Sequence, residues 1–431
     1  MAESIARERT TMTTGQSNIL LIIVDCLRAD YVYEPGKAYI PSLTSLRTEG
    51  FSFLNTISVT STTTPSLASL LTGLYPFEHG ARSLSGYTAK AGTVTFPELL
   101  REAGYHTYAE VTGPLVEQMG FAQYFEHYHY REPLSTIHAE WGQELPNRFD
   151  GYYQTPWFVL LHIWSLHKPR VVIEECGNSR FGRTPYARAL SSIDHYLGRL
   201  LPRLGDDTLV AITGDHGEQF AKSRLDALYR RMGRRVYRTL RRRKLTNLHF
   251  AKGMRRFHEG HGYGVYDVLV KVPLIFGHPG IVPPGESHCQ IRLIDLFPTI
   301  LDLVGVEHGL HVTGASTRSI MEGREASHRD AYLEAVGHMI PDPEEWLAGI
   351  RVDNKYKYIF APFREDFEEE LYDLEVDPSE KRNIASHHQD VVAALRAKIE
   401  AMHTMEAEGE EIDEEDQQEV VNRLRALGYV D

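Results

Sequence analysis

From Asn18 to Val24 the chain reads NILLIIV, an almost unbroken apolar run that stops at a carboxylate, Asp25. A run of this kind is expected of a parallel strand buried on both faces, because a strand with one wet face would alternate with polar residues. Similar runs recur at Trp157 to Ile163, Leu209 to Thr213 and Val272 to Phe276. Between them lie segments with helical spacing, at Pro41 to Glu49, Pro65 to Thr72, Phe96 to Ala103 and Ala187 to Leu204. Buried strands alternating with helices predict an α/β sandwich around a mostly parallel central sheet. Sites in such sheets collect at the carboxyl ends of the strands. Asp25, His162 and Asp215 each sit at or just beyond one.

A chain of 431 residues can bury a large core, and this one divides by texture. Residues 1–17 are polar and lack the apolar core of a signal peptide. Residues 18–340 carry the strand and helix alternation and are expected to form the catalytic domain. Residues 341–431 are expected to form a small C-terminal α+β subdomain. Within it, Gly349 to Phe360 reads as a strand or hairpin and Val391 to Met402 as a helix. Glu406 to Asp416 is too acidic to pack, while Val420 to Leu427 is again apolar at helical spacing, a tail that folds back. No stretch approaches the roughly 18 apolar residues of a membrane span. Cys26, Cys176 and Cys289 are too few and too scattered for a disulfide framework or a zinc finger. The expected compartment is the cytoplasm.

Cleaving a phosphate or sulfate ester needs a cation to neutralise the transferring group, an oxygen nucleophile and a proton donor for the leaving oxygen. Carboxylates and imidazoles suit such a cation. Asp25 lies at one strand end and the pair Asp215-His216 at another, inside ITGDHGE (212–218). Thr63 precedes Pro65 and a predicted helix, whose N-terminus favours anions. Singly, a strand-end aspartate reads as a turn residue and a threonine before proline as a helix cap.

Together they resemble a known family. Val24-Asp-Cys-Leu-Arg-Ala-Asp30 resembles the opening motif of sulfatases, in the alkaline phosphatase superfamily. TTPSLASLLTGLYPFEHG, from Thr63 to Gly80, is similar to their nucleophile signature, and Gly214-Asp-His-Gly-Glu218 to their metal motif. His261-Gly through Val272-Pro-Leu-Ile275 is similar to the stretch that follows, and Glu370 to Pro378 with Asn383 to the close of the small subdomain. The resemblance implies an alkaline-phosphatase-type α/β sandwich. It also implies one divalent-cation site, for Mn²⁺, Mg²⁺, Ca²⁺ or Zn²⁺, built from Asp25, Thr63, Asp215 and His216.

The departures from the family redirect the expected chemistry. Sulfatases carry a cysteine or serine at the Thr63 position, oxidised to formylglycine, and an arginine where this chain has Leu67. Threonine cannot become formylglycine, because its β-carbon already bears a methyl. Where sulfatases carry a second carboxylate, this chain has Cys26, read as a packing residue. This set resembles the phosphotransferases of the superfamily, so the expected substrate is a phosphoester, with a sulfate ester as the alternative.

WFVLLHIWSLHKP, from Trp157 to Pro169, resembles the family segment that supplies substrate-site histidines. His167 matches the position that binds the transferring group or a second metal, and His261 that of a lysine in sulfatases and a histidine in phosphotransferases; either could protonate the leaving oxygen. His162 and Lys168 are candidate substrate contacts, each weighed against a structural or solvated role. His79 and His258 are expected to be structural or supporting, and Arg28 and Asp30 either support ligands or form an ion pair.

The net charge of -13 hides an asymmetry, since residues 221–257 hold 14 Lys/Arg against one acid, Asp226. This basic insertion carries Leu225, Leu228, Tyr229, Met232, Val236 and Leu240 at three- and four-residue steps, the pattern of an amphipathic basic helix. It reads either as a solvated helix paired with the acidic body or as an element for anionic membrane surfaces, placing the protein peripherally at the inner membrane. The acidic remainder argues against nucleic acid. A rival from another class is a catalytically silent protein that docks on anionic membranes.

Overall fold

The computed structural model of the chain describes residues 16–133, 135–221, 224–242, 260–337, 339–402 and 407–429. Residues 1–15 of the polar N-terminal segment, 222–223 and 243–257 of the basic insertion, His258 and Glu406 lie outside the described residues.

Fourteen strands are formed: β1 (Asn18–Val24), β2 (Phe51–Ile57), β3 (Tyr87–Thr88), β4 (His106–Val111), β5 (His127–Tyr130), β6 (Trp157–Ile163), β7 (Thr208–Gly214), β8 (Lys271–Gly277), β9 (Gly285–Arg292), β10 (Ala331–Ala335), β11 (Leu347–Val352), β12 (Tyr356–Phe360), β13 (Glu370–Asp373) and β14 (Glu410–Glu411), counted among the described residues. The central sheet has the order β5-β4-β6-β1-β7-β8-β2-β9. Its pairs are parallel except the two made by β8, which runs antiparallel to β7 and β2. The apolar run of β8 therefore reports burial on both faces, not direction.

β1 lies inside this sheet, and its alternation divides the core. Ile19, Leu21 and Ile23 join the cluster that holds Leu67, Leu70 and Leu71 of the helix Thr63–Thr72. Leu20, Ile22 and Val24 join the opposite cluster, with Tyr186, Leu190, Ile193 and Leu197 of the helix Pro185–Leu200. An unbroken apolar strand thus glues two helical layers, the architecture expected of a doubly covered sheet.

The second sheet is antiparallel, in the order β10-β11-β12-β13, and takes its first strand ahead of residue 341. Val392, Leu395 and Ile399 of the helix Gln389–Met402 pack on Ile350, Tyr358 and Leu371 of that sheet. The subdomain is tied to the catalytic domain by the wholly buried Lys357, whose ammonium meets Asp267 and Glu380. A backbone bond from Glu334 N to Val59 O, 3.0 Å, fastens β10 to the segment leading to Thr63.

The acidic stretch expected not to pack is in part ordered structure. Glu410 and Glu411 pair with β3, while Glu414, Glu415 and Asp416 fill the first turn of the last helix, Glu414–Ala426. Acid there faces the positive end of the helix dipole, and the charges stay in water while Val420 and Leu424 are buried.

His79 shows how the fold constrains titration near the helix Thr63–Thr72. Its Nδ1 accepts from Ala81 N (3.2 Å), so Nε2 carries the hydrogen donated to Ser69 Oγ (2.8 Å). Burial first, then Arg82 and Lys90, push this imidazole down to about 3 from an ordinary 6.5. The unfolded chain binds the proton that the folded one refuses, so stability falls with pH below about 6.5. We predict that denaturant melts lose about 2 kcal/mol from this residue between pH ~8 and pH ~5. His79→Gln should remove that part of the slope, and an unchanged slope would show that His79 does not contribute it.

Candidate active site

Register places the first two acids. Val24 of β1 lies opposite Ile163 of β6 and Gly214 of β7, so Asp25 and Asp215 emerge side by side at neighbouring strand ends. The chain then turns through Cys26 in the left-handed region (φ 60°). The amides of Cys26 (3.2 Å) and His216 (2.7 Å) both donate to Asp215 Oδ1. Asp25 Oδ2 accepts from the Thr63 hydroxyl at 3.0 Å. The remaining oxygens, Asp25 Oδ1 and Asp215 Oδ2, are buried and lack a hydrogen-bond partner among the described residues.

Leaving two carboxylate oxygens dry and adjacent is costly unless a cation meets them. Burial, followed by the charge of Asp215, raises the Asp25 carboxyl well above the usual carboxylate range. Ligand atoms of Asp25, Asp215 and His216 lie within 4.8 Å of one another. Hard oxygens plus one imidazole fit a divalent cation, and the two orphaned oxygens are acceptors left unused by the protein.

Thr63 opens the helix Thr63–Thr72, and its Oγ1 also lies 3.3 Å from His216 Nε2. The helix is pinned to the metal motif by Ser66, which donates to the carbonyl of Asp215 at 2.7 Å. Ser58, at the end of β2, donates to the same carbonyl at 2.5 Å. These bonds fix the hydroxyl relative to both carboxylates.

Three imidazoles are anchored in one manner. The Nδ1–H of His216 donates to Gly217 O (2.8 Å), that of His261 to Ser61 O (3.2 Å) and that of His167 to Lys168 O (2.8 Å). A carbonyl can only accept, so in each neutral ring Nε2 carries the lone pair. The His216 and His261 rings stack at 4.3 Å, and His167 stands 5.5 Å from His261 and 4.1 Å from the Trp164 ring. His167 and His261 are thereby brought to the Thr63 centre.

The other two sequence candidates sit differently. His162 is buried inside β6, opposite Ile23, and burial, Arg131 and His216 push its ring down to about 3. It stays neutral near pH 7 and is no proton donor there. Lys168 is nearly half exposed, its ammonium 3.6 Å from Glu218, whose other oxygen pairs with Arg170. Arg28 is held by Asp30, an ion pair, and also donates to Glu218 O at 3.2 Å.

Sequence reading assigned no role to Ser58, Ser61, Ser66 or Glu218, although Glu218 stands inside the quoted metal motif. It read Cys26 as packing. Cys26 is wholly buried, and its sulfur lies within 4.8 Å of ligand atoms of His216 and His261. Tyr429 was also missed; its ring lies 5.2 Å from that of His167 and 5.7 Å from that of His261. A residue so far along the chain gives no local signal of such a place.

Comparison with known proteins follows the same lines. Residues 17–306 match the family model described as Sulfatase, and residues 262–405 that described as N-sulphoglucosamine sulphohydrolase, C-terminal. The chain is 23% identical to a choline-sulfatase of Rhizobium meliloti, over 92% of this chain and 88% of that protein. It is 22% identical to an N-acetylgalactosamine-6-O-sulfatase of Bacteroides thetaiotaomicron, over 90% and 93%. Among solved structures, a 2-O GAG sulfatase superposes with a TM-score of 0.68 at 18% identity, covering 90% of this chain and 92% of the other. A phosphonate monoester hydrolase from Silicibacter pomeroyi does so with 0.67 at 19%, covering 91% and 96%.

The two orphaned oxygens generate a prediction. Asp25→Ala and Asp215→Ala proteins should lose their bound divalent metal by elemental analysis after gel filtration, while His79→Gln protein keeps it. Metal content equal to wild type in both aspartate variants would place the cation elsewhere.

Proposed function

The chain belongs to the sulfatase family of the alkaline phosphatase superfamily, and from that membership we propose a metal-dependent ester hydrolase or transferase that cleaves a phosphoester through Thr63. The observation that carries the reading is the Thr63 hydroxyl, 3.0 Å from Asp25 and 3.3 Å from His216, beside two sealed carboxylate oxygens. A silent docking protein has no use for that arrangement.

A divalent cation held by Asp25, Asp215 and His216 would neutralise the ester's non-bridging oxygens and ease ionisation of the hydroxyl. The protein's own residues do the rest. Asp25 orients Thr63 by accepting its hydrogen bond at Oδ2, and the hydroxyl proton leaves toward Asp25 as Oγ1 bonds to phosphorus. The bond from phosphorus to the leaving oxygen breaks, and that oxygen takes a proton from Nε2 of a protonated His167 or His261. Water, or an acceptor hydroxyl, then attacks the phosphothreonine and restores Thr63.

Two considerations bear on phosphorus against sulfur. The residue at position 63 cannot supply the aldehyde hydrate by which formylglycine sheds sulfate, and a sulfothreonine would wait for water at a hindered sulfur. One structural neighbour is a phosphonate monoester hydrolase. The sulfate ester remains the second reading, because the named relatives are sulfatases.

The basic insertion adds a surface. Gln219 and Gly260 exchange backbone bonds of 3.1 and 2.8 Å, closing a neck from which the helix Arg224–Arg242 extends. Its Leu225, Leu228, Tyr229, Met232 and Val236 are 79%, 52%, 63%, 61% and 41% exposed, with Arg231 and Arg235 also in solvent. The side chain of Leu240 lies outside the described residues. A merely solvated helix would not hold an apolar stripe in water, and arginines around such a stripe suit an anionic bilayer surface. Among the described residues no helix is long and apolar enough to cross a membrane, so this contact would be peripheral. Such a surface would bring a lipid headgroup or lipid-linked ester near the site.

Two predictions follow from these features. Purified protein with Mn²⁺, Mg²⁺, Ca²⁺ or Zn²⁺ should turn over aryl phosphoesters at least ~100-fold faster than aryl sulfates. Thr63→Ser should be partly active and Thr63→Ala inactive, and brief reaction should leave a phosphoryl mass on the Thr63 peptide. Preference for sulfate, or full activity of Thr63→Ala, would overturn the covalent phosphoester reading. For the helix, the protein should co-sediment with vesicles containing phosphatidylglycerol but not with phosphatidylcholine alone, less so in high salt. Arg231→Glu with Arg235→Glu should release it. Equal recovery on neutral vesicles, or salt-resistant self-association without vesicles, would oppose the membrane reading.

A further inference from the structure

The chain's last described segment reaches the catalytic centre. From Ala407 it runs back across the large domain, with Ala407 N donating to Phe77 O at 2.7 Å and β14 pairing with β3. It crosses the loop after the nucleophile helix where two glycines meet. A Cβ on Gly80 (φ +86) would stand 2.3 Å from Gly409 N, and one on Gly409 would stand 2.5 Å from Thr88 O. Ile412 N then donates to Gly86 O (3.1 Å), and Gln417 accepts from Gly86 N (2.9 Å). The last helix anchors through Val420 and Leu424, and Arg423 pairs with Glu132 while covering the Tyr130 ring at 5.4 Å. Beyond it, Tyr429 N bonds Leu424 O (2.9 Å), turning the side chain inward.

Tyr429 comes to rest among aromatic rings of the site, 5.2 Å from His167, 5.7 Å from His261 and 6.3 Å from Trp164. Those neighbours are nearly buried; Tyr429 is half-buried as a residue, while its hydroxyl oxygen is buried and feels the charges of Asp25 and Asp215, so the ring spans from the surface toward the floor. Asp25, Thr63, Asp215 and His216 lie at the floor, none more than 1% exposed. A group transferred at Thr63 occupies the floor, which leaves its organic substituent to project toward the mouth.

We infer that Tyr429, delivered by the C-terminal strap, is a specificity-determining wall that limits the size of the ester substituent accepted above Thr63. This rests on the reading of Thr63 as the ester-cleaving centre. The ring is rigid and follows a helix anchored by the buried Val420 and Leu424, so its bulk sets a boundary that a flexible surface chain would not. The strap is long and fastened at several points, which ties that boundary to the fold and not to a loose terminus.

The test compares equilibrium binding of non-hydrolysable ligands to manganese-loaded full-length protein by calorimetry. Inorganic phosphate probes the floor, while methylphosphonate and 1-naphthylphosphonate probe small and large substituents. In Tyr429→Ala the naphthyl-to-methyl affinity ratio should rise by at least ~tenfold, and in Tyr429→Trp it should fall. Tyr429→Phe, which keeps the ring and removes the buried hydroxyl, should keep the wild-type ratio, because the wall is made of ring volume. Phosphate affinity should remain within ~threefold throughout, with melting midpoints within ~2 °C. An unchanged ratio overturns the proposal, as does a uniform change in all three ligands, which would mark Tyr429 as a plug or a structural prop. Absence of phosphonate binding in every variant also overturns it. Repeating the series in Thr63→Ala separates the two readings: a size ratio that still responds to residue 429 survives even where the covalent chemistry fails.

Discussion

Two carboxylate oxygens, Asp25 Oδ1 and Asp215 Oδ2, are buried without hydrogen-bond partners among the described residues. Their mutual repulsion in a medium that screens poorly is the constraint on which the rest of the site is built. The sheet forces the proximity, since β1 and β7 are neighbours in register and each ends at its acid. Everything around them is then spent on holding the remaining atoms still. Two amides take Asp215 Oδ1, two serine hydroxyls take its backbone carbonyl, and the Thr63 hydroxyl takes Asp25 Oδ2. Such a cage is costly by itself, and a divalent cation would offset that cost.

The imidazoles are organised by a second rule. Each of His167, His216 and His261 gives its Nδ1–H to a backbone carbonyl one residue away or on an adjoining segment. A rigid backbone acceptor sets both tautomer and ring direction, so each Nε2 is placed by the main chain. The stacking of His216 on His261 links the metal motif to the segment beyond the basic insertion, across the neck at Gln219 and Gly260.

Legibility was uneven, and the reasons are physical. Buried strands show in sequence because burial on both faces excludes polar residues from a local window, as in NILLIIV. Direction does not show, and β8 was grouped with parallel strands although it runs against both neighbours. The acidic tail was expected not to pack because charge density was weighed without position; at a helix N-terminus the same charges are favourable. His162 lies within the apolar run that predicts β6 and His167 past its end, and the structure keeps that difference, with His162 inside the strand.

The sequence by itself determined the buried sheet, the order Asp25, Thr63, Asp215, His216 and the family to which the chain belongs, because each is written in local pattern or motif spacing. Only the tertiary structure decided that Ser58 and Ser66 hold Asp215, that Cys26 lies against two histidines, and that Tyr429 reaches the mouth of the site. Those placements depend on contacts between residues far apart in the chain. Such contacts are set by how whole layers pack, and no window of sequence contains both partners.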